Sequence, residues 1–285
     1  MVLERVLDKI RDKEGGVVIS GTTINNLAFA DDIDLLDRDA KRLEETTREL
    51  NDESKRYGLN MNFEKTKTLA FGAENPTEVL VIDGNPLENV EHFTYLGSNT
   101  TYDLDARREV QTRLAKAATA LKAMEKVWRS KAIGTETKKK VLQTCIFSTL
   151  LYGCEAWVVT KYIEQRLMAF ERKCYRKILR IGWMQKVNNT ELYERVQLKE
   201  NIMQKLIRRK LGLFGHICRM DNSRKIKALM FGRMDGTNKR GRPHREWLDD
   251  ISDWGKASLQ ELSRAALDRR KWKELVKKAS ENYGR

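Results

Sequence analysis

Leu27-Ala28-Phe29-Ala30-Asp31-Asp32-Ile33-Asp34-Leu35-Leu36 decides how the rest of the chain is read. Apolar residues run up to an adjacent pair of carboxylates and resume directly after it, the pattern of two short strands meeting at a tight acidic turn. Such a turn pushes Asp31 and Asp32 outward together. Neighbouring ionised carboxylates repel, and beside apolar strands they call for a cation or a basic partner. Mg²⁺ meets that need: it takes oxygen ligands and keeps positions open for water and phosphate, which suits phosphoryl transfer. The same spacing also fits a solvated hairpin tip, in which Asp31, Asp32, Asp34, Asp37 and Asp39 only keep a sheet edge soluble. Spacing alone leaves both readings open.

Charge divides the chain around residue 104. Residues 1–104 hold 12 Lys and Arg against 21 Asp and Glu, whereas residues 105–285 hold 43 against 20. An acidic part with a metal-type turn, followed by a strongly basic part, is what a nucleic-acid enzyme needs: cations at the chemistry and a Lys/Arg track for phosphates. With 285 residues and 40% hydrophobic content, the chain has enough apolar material for two modest domains. No run of about 18 apolar residues is present, and the start lacks the basic-then-apolar order of a signal peptide. The expectation is an intracellular protein, nuclear or cytoplasmic, without a membrane partner. Cys145, Cys154, Cys174 and Cys218 show no paired spacing and read as reduced, mostly buried thiols. His216, Cys218 and His244 lack the fourth ligand that a metal site needs.

Residues 1–13 place Val2, Leu3, Val6, Leu7 and Ile10 on one face of a helix that Gly15-Gly16 stop, with Asp8 and Asp12 on the polar face. Val17 to Ser20 read as a strand. A second helix runs from Ala40 to Tyr57 and closes at Gly58. Alternating Leu59, Met61 and Phe63 predict a strand presenting Lys65 or Lys67 at its end, as a phosphate-binding point charge or as a solvated turn. Val79 to Ile82, the Asp83-Gly84 turn and a strand with Val90, Phe93 and Tyr95 predict a small antiparallel sheet.

Beyond Asp105 the periodicity is helical. Val110, Leu114, Ala117, Leu121, Met124 and Trp128 recur at three and four residues, while Arg107, Arg108, Arg113, Lys116, Lys122 and Lys126 line other faces. An apolar segment, Val141 to Leu151, precedes a helix with Ile163, Leu167, Phe170, Cys174 and Ile178 inside. Arg172, Lys173 and Arg176 are expected outside as phosphate contacts, as are Arg208 and Arg209 beside Lys205 and Lys210 on a later helix. Trp247, Ile251, Trp254, Leu262 and Trp272 predict a last small helical bundle. Between these, Arg240-Gly241-Arg242-Pro243 is similar to an AT-hook, whose arginines enter a narrow minor groove, and equally fits a basic linker or import patch.

Several stretches, in order, carry a wider resemblance. Phe29-Ala30-Asp31-Asp32 resembles the catalytic motif of reverse transcriptases, and its Phe-Ala version the non-LTR, LINE-type retrotransposon branch. Gly58-Leu59-Asn60-Met61-Asn62-Phe63-Glu64-Lys65-Thr66 is similar to the segment that follows that motif in the family. Phe93-Thr94-Tyr95-Leu96-Gly97 resembles the primer-grip element, and Leu150-Leu151-Tyr152-Gly153-Cys154-Glu155-Ala156-Trp157 another signature of the same elements. Gly215-His216-Ile217-Cys218-Arg219-Met220 with the later Arg-Gly-Arg-Pro completes the series.

The resemblance implies an α+β fold. Residues 1–104 would form a partial palm, 105–186 a helical thumb-like domain and 187–285 a basic helical C-terminal region. It further implies RNA-templated DNA synthesis with Mg²⁺ on Asp31 and, in support, Asp32; Lys65 near the incoming triphosphate; and Phe93, Tyr95, Leu96 and Gly97 at the primer's 3′ end. RNA template and DNA primer would be the partners. In the family an earlier strand supplies another essential Asp after nucleotide-contacting fingers, and residues 1–26 match neither. The expectation is the C-terminal portion of such an enzyme, inactive alone because two-metal chemistry needs carboxylates from more than one strand. Two alternatives remain: a non-catalytic nucleic-acid-binding remnant or host-reused protein, and a protein-interaction helical bundle.

Overall fold

The structure, a computed structural model, describes residues 2–11, 15–72, 79–232 and 245–283. The chain divides into two compact units, Met1–Leu104 with Met220–Gly241 and Asp105–Arg219 with Arg242–Arg285.

In the first unit, α1 (Val2–Arg11) turns Val6, Leu7 and Ile10 inward against Leu50 of α2 (Ala40–Arg56), the face that its spacing predicts. The strands β1 (Val17–Ile19) and β2 (Thr22–Ile24) form a hairpin, and β3 (Asn26–Phe29) and β4 (Asp32–Leu35) form the next. Ile33 and Leu35 of β4 pack on the α1–α2 core. Asp39 caps α2 by accepting the Lys41 and Arg42 amides, and Gly58, with φ 73°, turns the chain off its end.

The predicted strand at Leu59, Met61 and Phe63 is absent. Asn62 instead closes a turn, its carbonyl accepting the Lys65 and Thr66 amides at 3.2 and 2.9 Å and its side chain the Lys65 amide at 3.1 Å. An Asn that bonds its own following backbone competes with a ladder, and here it wins. Phe63 still turns inward, onto a small cluster of Leu80, Ile82 and Leu87.

The remaining strands are β5 (Lys67–Thr68), β6 (Val81–Ile82), β7 (Asn85–Pro86), β8 (Glu88–Asn89), β9 (His92–Tyr95) and β10 (Ser98–Thr101). In place of one small antiparallel sheet, the described residues form five two-stranded ladders, of which β5 with β8 is parallel. Three of the hairpins turn on a left-handed pair, Ser20-Gly21, Asp83-Gly84 and Leu96-Gly97. Such turns match strand twist and fold each strand tightly on its neighbour in sequence.

The second unit is helical. Asp105 caps α3 (Ala106–Ala123), and a break at Met124 separates it from α4 (Glu125–Arg129), so the run to Trp128 is two helices rather than one. The Trp128 indole donates to the Leu121 carbonyl at 2.8 Å across that break. Next, α5 (Thr135–Val141) passes through a π-helical stretch, Leu142–Phe147, into α6 (Ser148–Leu150). There follow α7 (Lys161–Ile178), α8 (Asn189–Val196) and α9 (Ile202–Cys218). Valines, leucines and isoleucines of α3, α5, α7, α8 and α9 share one core.

The chain returns to the first unit with α10 (Lys225–Phe231) and to the second with α11 (Trp247–Gly255), α12 (Leu259–Leu267) and α13 (Arg269–Glu281). The last three helices pack on α9: Trp272 donates to the Leu211 carbonyl at 3.0 Å. Among the described residues no helix is long and apolar enough to cross a membrane. The molecule is a mixture of helices and small ladders, consistent with an α+β class. Of the four cysteines, Cys154, Cys174 and Cys218 are buried and Cys145 is exposed.

Candidate functional site

The acidic turn is built by the register of β3 and β4. Phe29 pairs with Asp32, Ala28 with Ile33, Leu27 with Asp34 and Asn26 with Leu35, leaving Ala30 and Asp31 at the tip with Ala30 at φ 54°. Directly opposed residues share a face. Ile33 and Leu35 therefore face the core, and Leu27, Phe29, Asp32 and Asp34 share the other side. Phe29 is 62% exposed, and Asp31 and Asp32 are both exposed, as the tight turn predicts. Partial burial, and then the charge of Asp32 two residues away, push the Asp34 carboxyl up from its usual range. Sequence reasoning had not singled out Asp34, although its i+2 spacing from Asp32 on a strand was the available signal.

Asp37 and Asp39 do more than keep an edge soluble. Asp37 accepts the Gly16 and Asp39 amides, each at 2.8 Å, and Arg42 at 3.2 Å. Burial opposes its ionisation, but those donors outweigh burial and hold the carboxyl below its usual range. Gly16, at φ 92°, lies so close to β2 that a Cβ there would stand 2.7 Å from the Ile24 carbonyl. The Gly-Gly stop thus lets the chain after α1 approach both β2 and Asp37.

Two of the other predicted site elements lie in this unit. Phe93 and Tyr95 are half-buried on β9, and Leu96 and Gly97 form the left-handed turn into β10, at φ 45° and 79°. Burial first, and then the charges of Asp34 and Asp32, push the Tyr95 phenol up. The Phe-Thr-Tyr-Leu-Gly hairpin and the acidic hairpin belong to the same compact unit, and the acidic charges are felt at the Tyr95 phenol. Lys65 is exposed in the Asn62 turn and carries no ion pair among the described residues. Lys67 is bound to Glu88 at 2.5 Å.

Among the described residues no three Asp, Glu, His or Cys side chains stand together as a metal-holding group. Asp31 and Asp32 are the neighbouring carboxylates that could hold a Mg²⁺, whose remaining positions would be filled by water, phosphate or a carboxylate from a further strand.

The basic candidates of the second unit are mostly engaged. Arg176 donates to the Val187 carbonyl at 3.1 Å and to Asn189 at 3.0 Å, tying α7 to the start of α8. Arg208 pairs with Glu200 at 2.7 Å, and Arg209 donates to the Leu151 carbonyl at 2.9 Å. Arg172 lies beside the Tyr193 phenol. Lys173 is exposed without an ion pair among the described residues. Arg113, expected on an outer face, is buried against Glu109 at 2.6 Å with its guanidinium 4.4 Å from the Tyr152 ring centre. Arg240 and Arg242, with the Arg-Gly-Arg-Pro core, lie outside the described residues, as do His244 and Asp12.

Lys210 departs furthest from expectation. It is fully buried, bonded to Asp250 and, at 2.5 Å, to the Trp157 carbonyl, with Trp247 and Trp254 rings 4.7 and 5.7 Å from its ammonium. Asp250 also accepts the Val159 amide at 2.9 Å and Arg245 at 2.7 Å. Burial pulls the ammonium down to about 8 against the pull of Asp250. The signal was legible: Lys210 follows Leu206 and precedes Phe214 by four residues, on the apolar stripe of α9. The Tyr-Gly-Cys-Glu-Ala-Trp stretch belongs to the same junction, since the Trp247 indole donates to the Glu155 carbonyl at 2.7 Å.

No known protein-family model matches the chain, and no solved structure matches it. It is similar, at 24% identity over 280 residues, to an uncharacterised transposon-derived protein of Caenorhabditis elegans, and the similarity covers 93% of this chain and 99% of that one.

Proposed function

We propose that this is a transposon-derived, nucleic-acid-binding protein equivalent to the C-terminal portion of a LINE-type reverse transcriptase, which holds RNA template and DNA primer without completing a polymerase centre. One observation carries the reading: the acidic hairpin, with Asp31 and Asp32 exposed at its tip, and the Phe-Thr-Tyr-Leu-Gly hairpin, far apart in sequence, are both built as tight hairpins within one compact unit. A catalytic turn and a primer-holding hairpin belong together on one such unit. The similarity to a transposon-derived protein, spread over nearly the whole of both chains, supports the same origin.

On this reading Asp31 and Asp32 are part of a carboxylate set that needs a further strand, Lys65 faces a phosphate, and Phe93 to Gly97 lie against the primer terminus. The test is primer extension on an RNA template with Mg²⁺ and deoxynucleotides, run beside a mobility shift of the same template–primer. The expected result is a shifted complex and no extension. Extension that Asp31→Ala abolishes would overturn the incomplete centre, and absence of any shift would overturn the nucleic-acid role.

A further inference from the structure

In the second unit, α11 and α13 enclose a cleft of about 410 Å³ that none of the sequence motifs touches. Its volume lies in the range of small-ligand clefts, roughly 300–1,000 Å³. Trp254, Leu275, Ala279 and Tyr283 give it apolar and aromatic walls, and Asn282 places an amide among them. Lys256, Lys271 and Lys278 stand around it. All three are exposed, and none carries an ion pair among the described residues. Of the two acids at the cleft, Asp253 is already bound to Arg245 at 2.7 Å, which leaves Glu274 as the acid facing three ammonium groups.

A half-open cleft of mixed lining, with aromatic rings and an exposed amide among three ammonium groups, fits a planar, hydrogen-bonding ring that carries phosphate. An acidic peptide would use the lysines without a planar group to lay on the exposed parts of the aromatic walls; a duplex would present phosphates but no free base face. Single-stranded nucleic acid presents both, and aromatic walls with a basic rim are how such strands are held.

We propose that this cleft receives an unstacked base of single-stranded nucleic acid, with the flanking phosphates on Lys256, Lys271 and Lys278. The proposal deepens the nucleic-acid reading above and rests on it, but does not involve the acidic hairpin.

Two variants of the full chain separate the cleft from general basicity. Ala279→Phe fills the slot and leaves every charge in place; Lys271→Ala with Lys278→Ala removes the rim and leaves the slot. Affinity for a fluorescein-labelled single-stranded RNA is read by anisotropy, with an RNA duplex of the same length as the second probe and circular dichroism to confirm folding. Ala279→Phe is expected to weaken single-strand binding roughly tenfold, as loss of one stacked base does, and to leave duplex binding unchanged. The double lysine variant is expected to weaken single-strand binding too, and it stands as the test on its own if the filled variant does not fold. Wild-type binding that the folded variants reproduce overturns the cleft while the wider reading stands. A wild-type chain that binds neither probe overturns both.

Discussion

An ammonium removed from water must have its donors and its charge met by protein, and Lys210 meets that requirement with parts drawn from two places, the chain at Trp157 and α11. Trp157 supplies a carbonyl, α11 supplies Asp250, and the rings of Trp247 and Trp254 close over it. Desolvation of such a pair can cost as much as the attraction returns, so the pair is weak evidence of net stability, but breaking it strands a charge. Asp250 would keep Arg245 and the Val159 amide, while the Trp157 carbonyl would lose its donor. Lys210→Ala should therefore cost about 3–5 kcal/mol in urea unfolding. Lys210→Met with Asp250→Leu should cost less than the two single changes added together. A Lys210→Ala protein within about 1 kcal/mol of wild type would mean the pair is replaceable by the remaining arginine contact.

Helices carried most of what could be read in advance, because one buried stripe repeats every three to four residues whatever it packs on. Val6, Leu7 and Ile10 of α1, and Ile163, Leu167, Cys174 and Ile178 of α7, are buried on their predicted faces. The ladders were less legible, since pairing depends on distant partners: nothing near Lys67 announces that it will lie parallel to Glu88. Leu59, Met61 and Phe63 alternate as a strand does, yet the local bonds of Asn62 decide otherwise. At the site, the turn that exposes Asp31 and Asp32 was legible, whereas the partial burial of Asp34 and the reach of its charge to Tyr95 were not. The close approach of α9 and α13 was equally hidden. It depends on Gly215, where a Cβ would stand 2.1 Å from the Trp272 indole nitrogen, and on that nitrogen's bond to Leu211. Two glycines on one helix then predict opposite signs. Gly212→Ala meets nothing within 4 Å and should gain up to about 1 kcal/mol of helix propensity. Gly215→Ala earns the same propensity but displaces a packed indole, for a net loss of about 1–3 kcal/mol. Thermal melts of the two variants moving in the same direction would contradict this account of the α9–α13 contact.

At the scale of the molecule the imbalance of charge matters more than any single basic residue. Residues 105–285 hold 43 Lys and Arg against 20 Asp and Glu, and several of the arginines first expected on phosphates are instead spent on carbonyls and carboxylates within the unit. What remains for a polyanion includes exposed cations such as Arg108, Lys116 and Lys122 on α3, Lys173 on α7, and the rim of the α11–α13 cleft. Binding through such a set releases counterions, with log Kd rising by roughly 0.7 per phosphate contact against log salt for single strands. About five contacts would give a slope of roughly 3 to 4, and a weakening on the order of a hundredfold from 50 to 200 mM salt. Asp31→Ala with Asp32→Ala takes two acids from the net-negative part of the chain and should leave affinity unchanged or slightly raised. A steep slope that survives this double change, with no need for Mg²⁺, is the expected outcome for a protein whose affinity rests on phosphate contacts rather than on a metal held by the acidic turn. A flat salt dependence would instead favour the helical unit as a surface for another protein, since apolar contact is little affected by screening whereas phosphate contact cannot escape it.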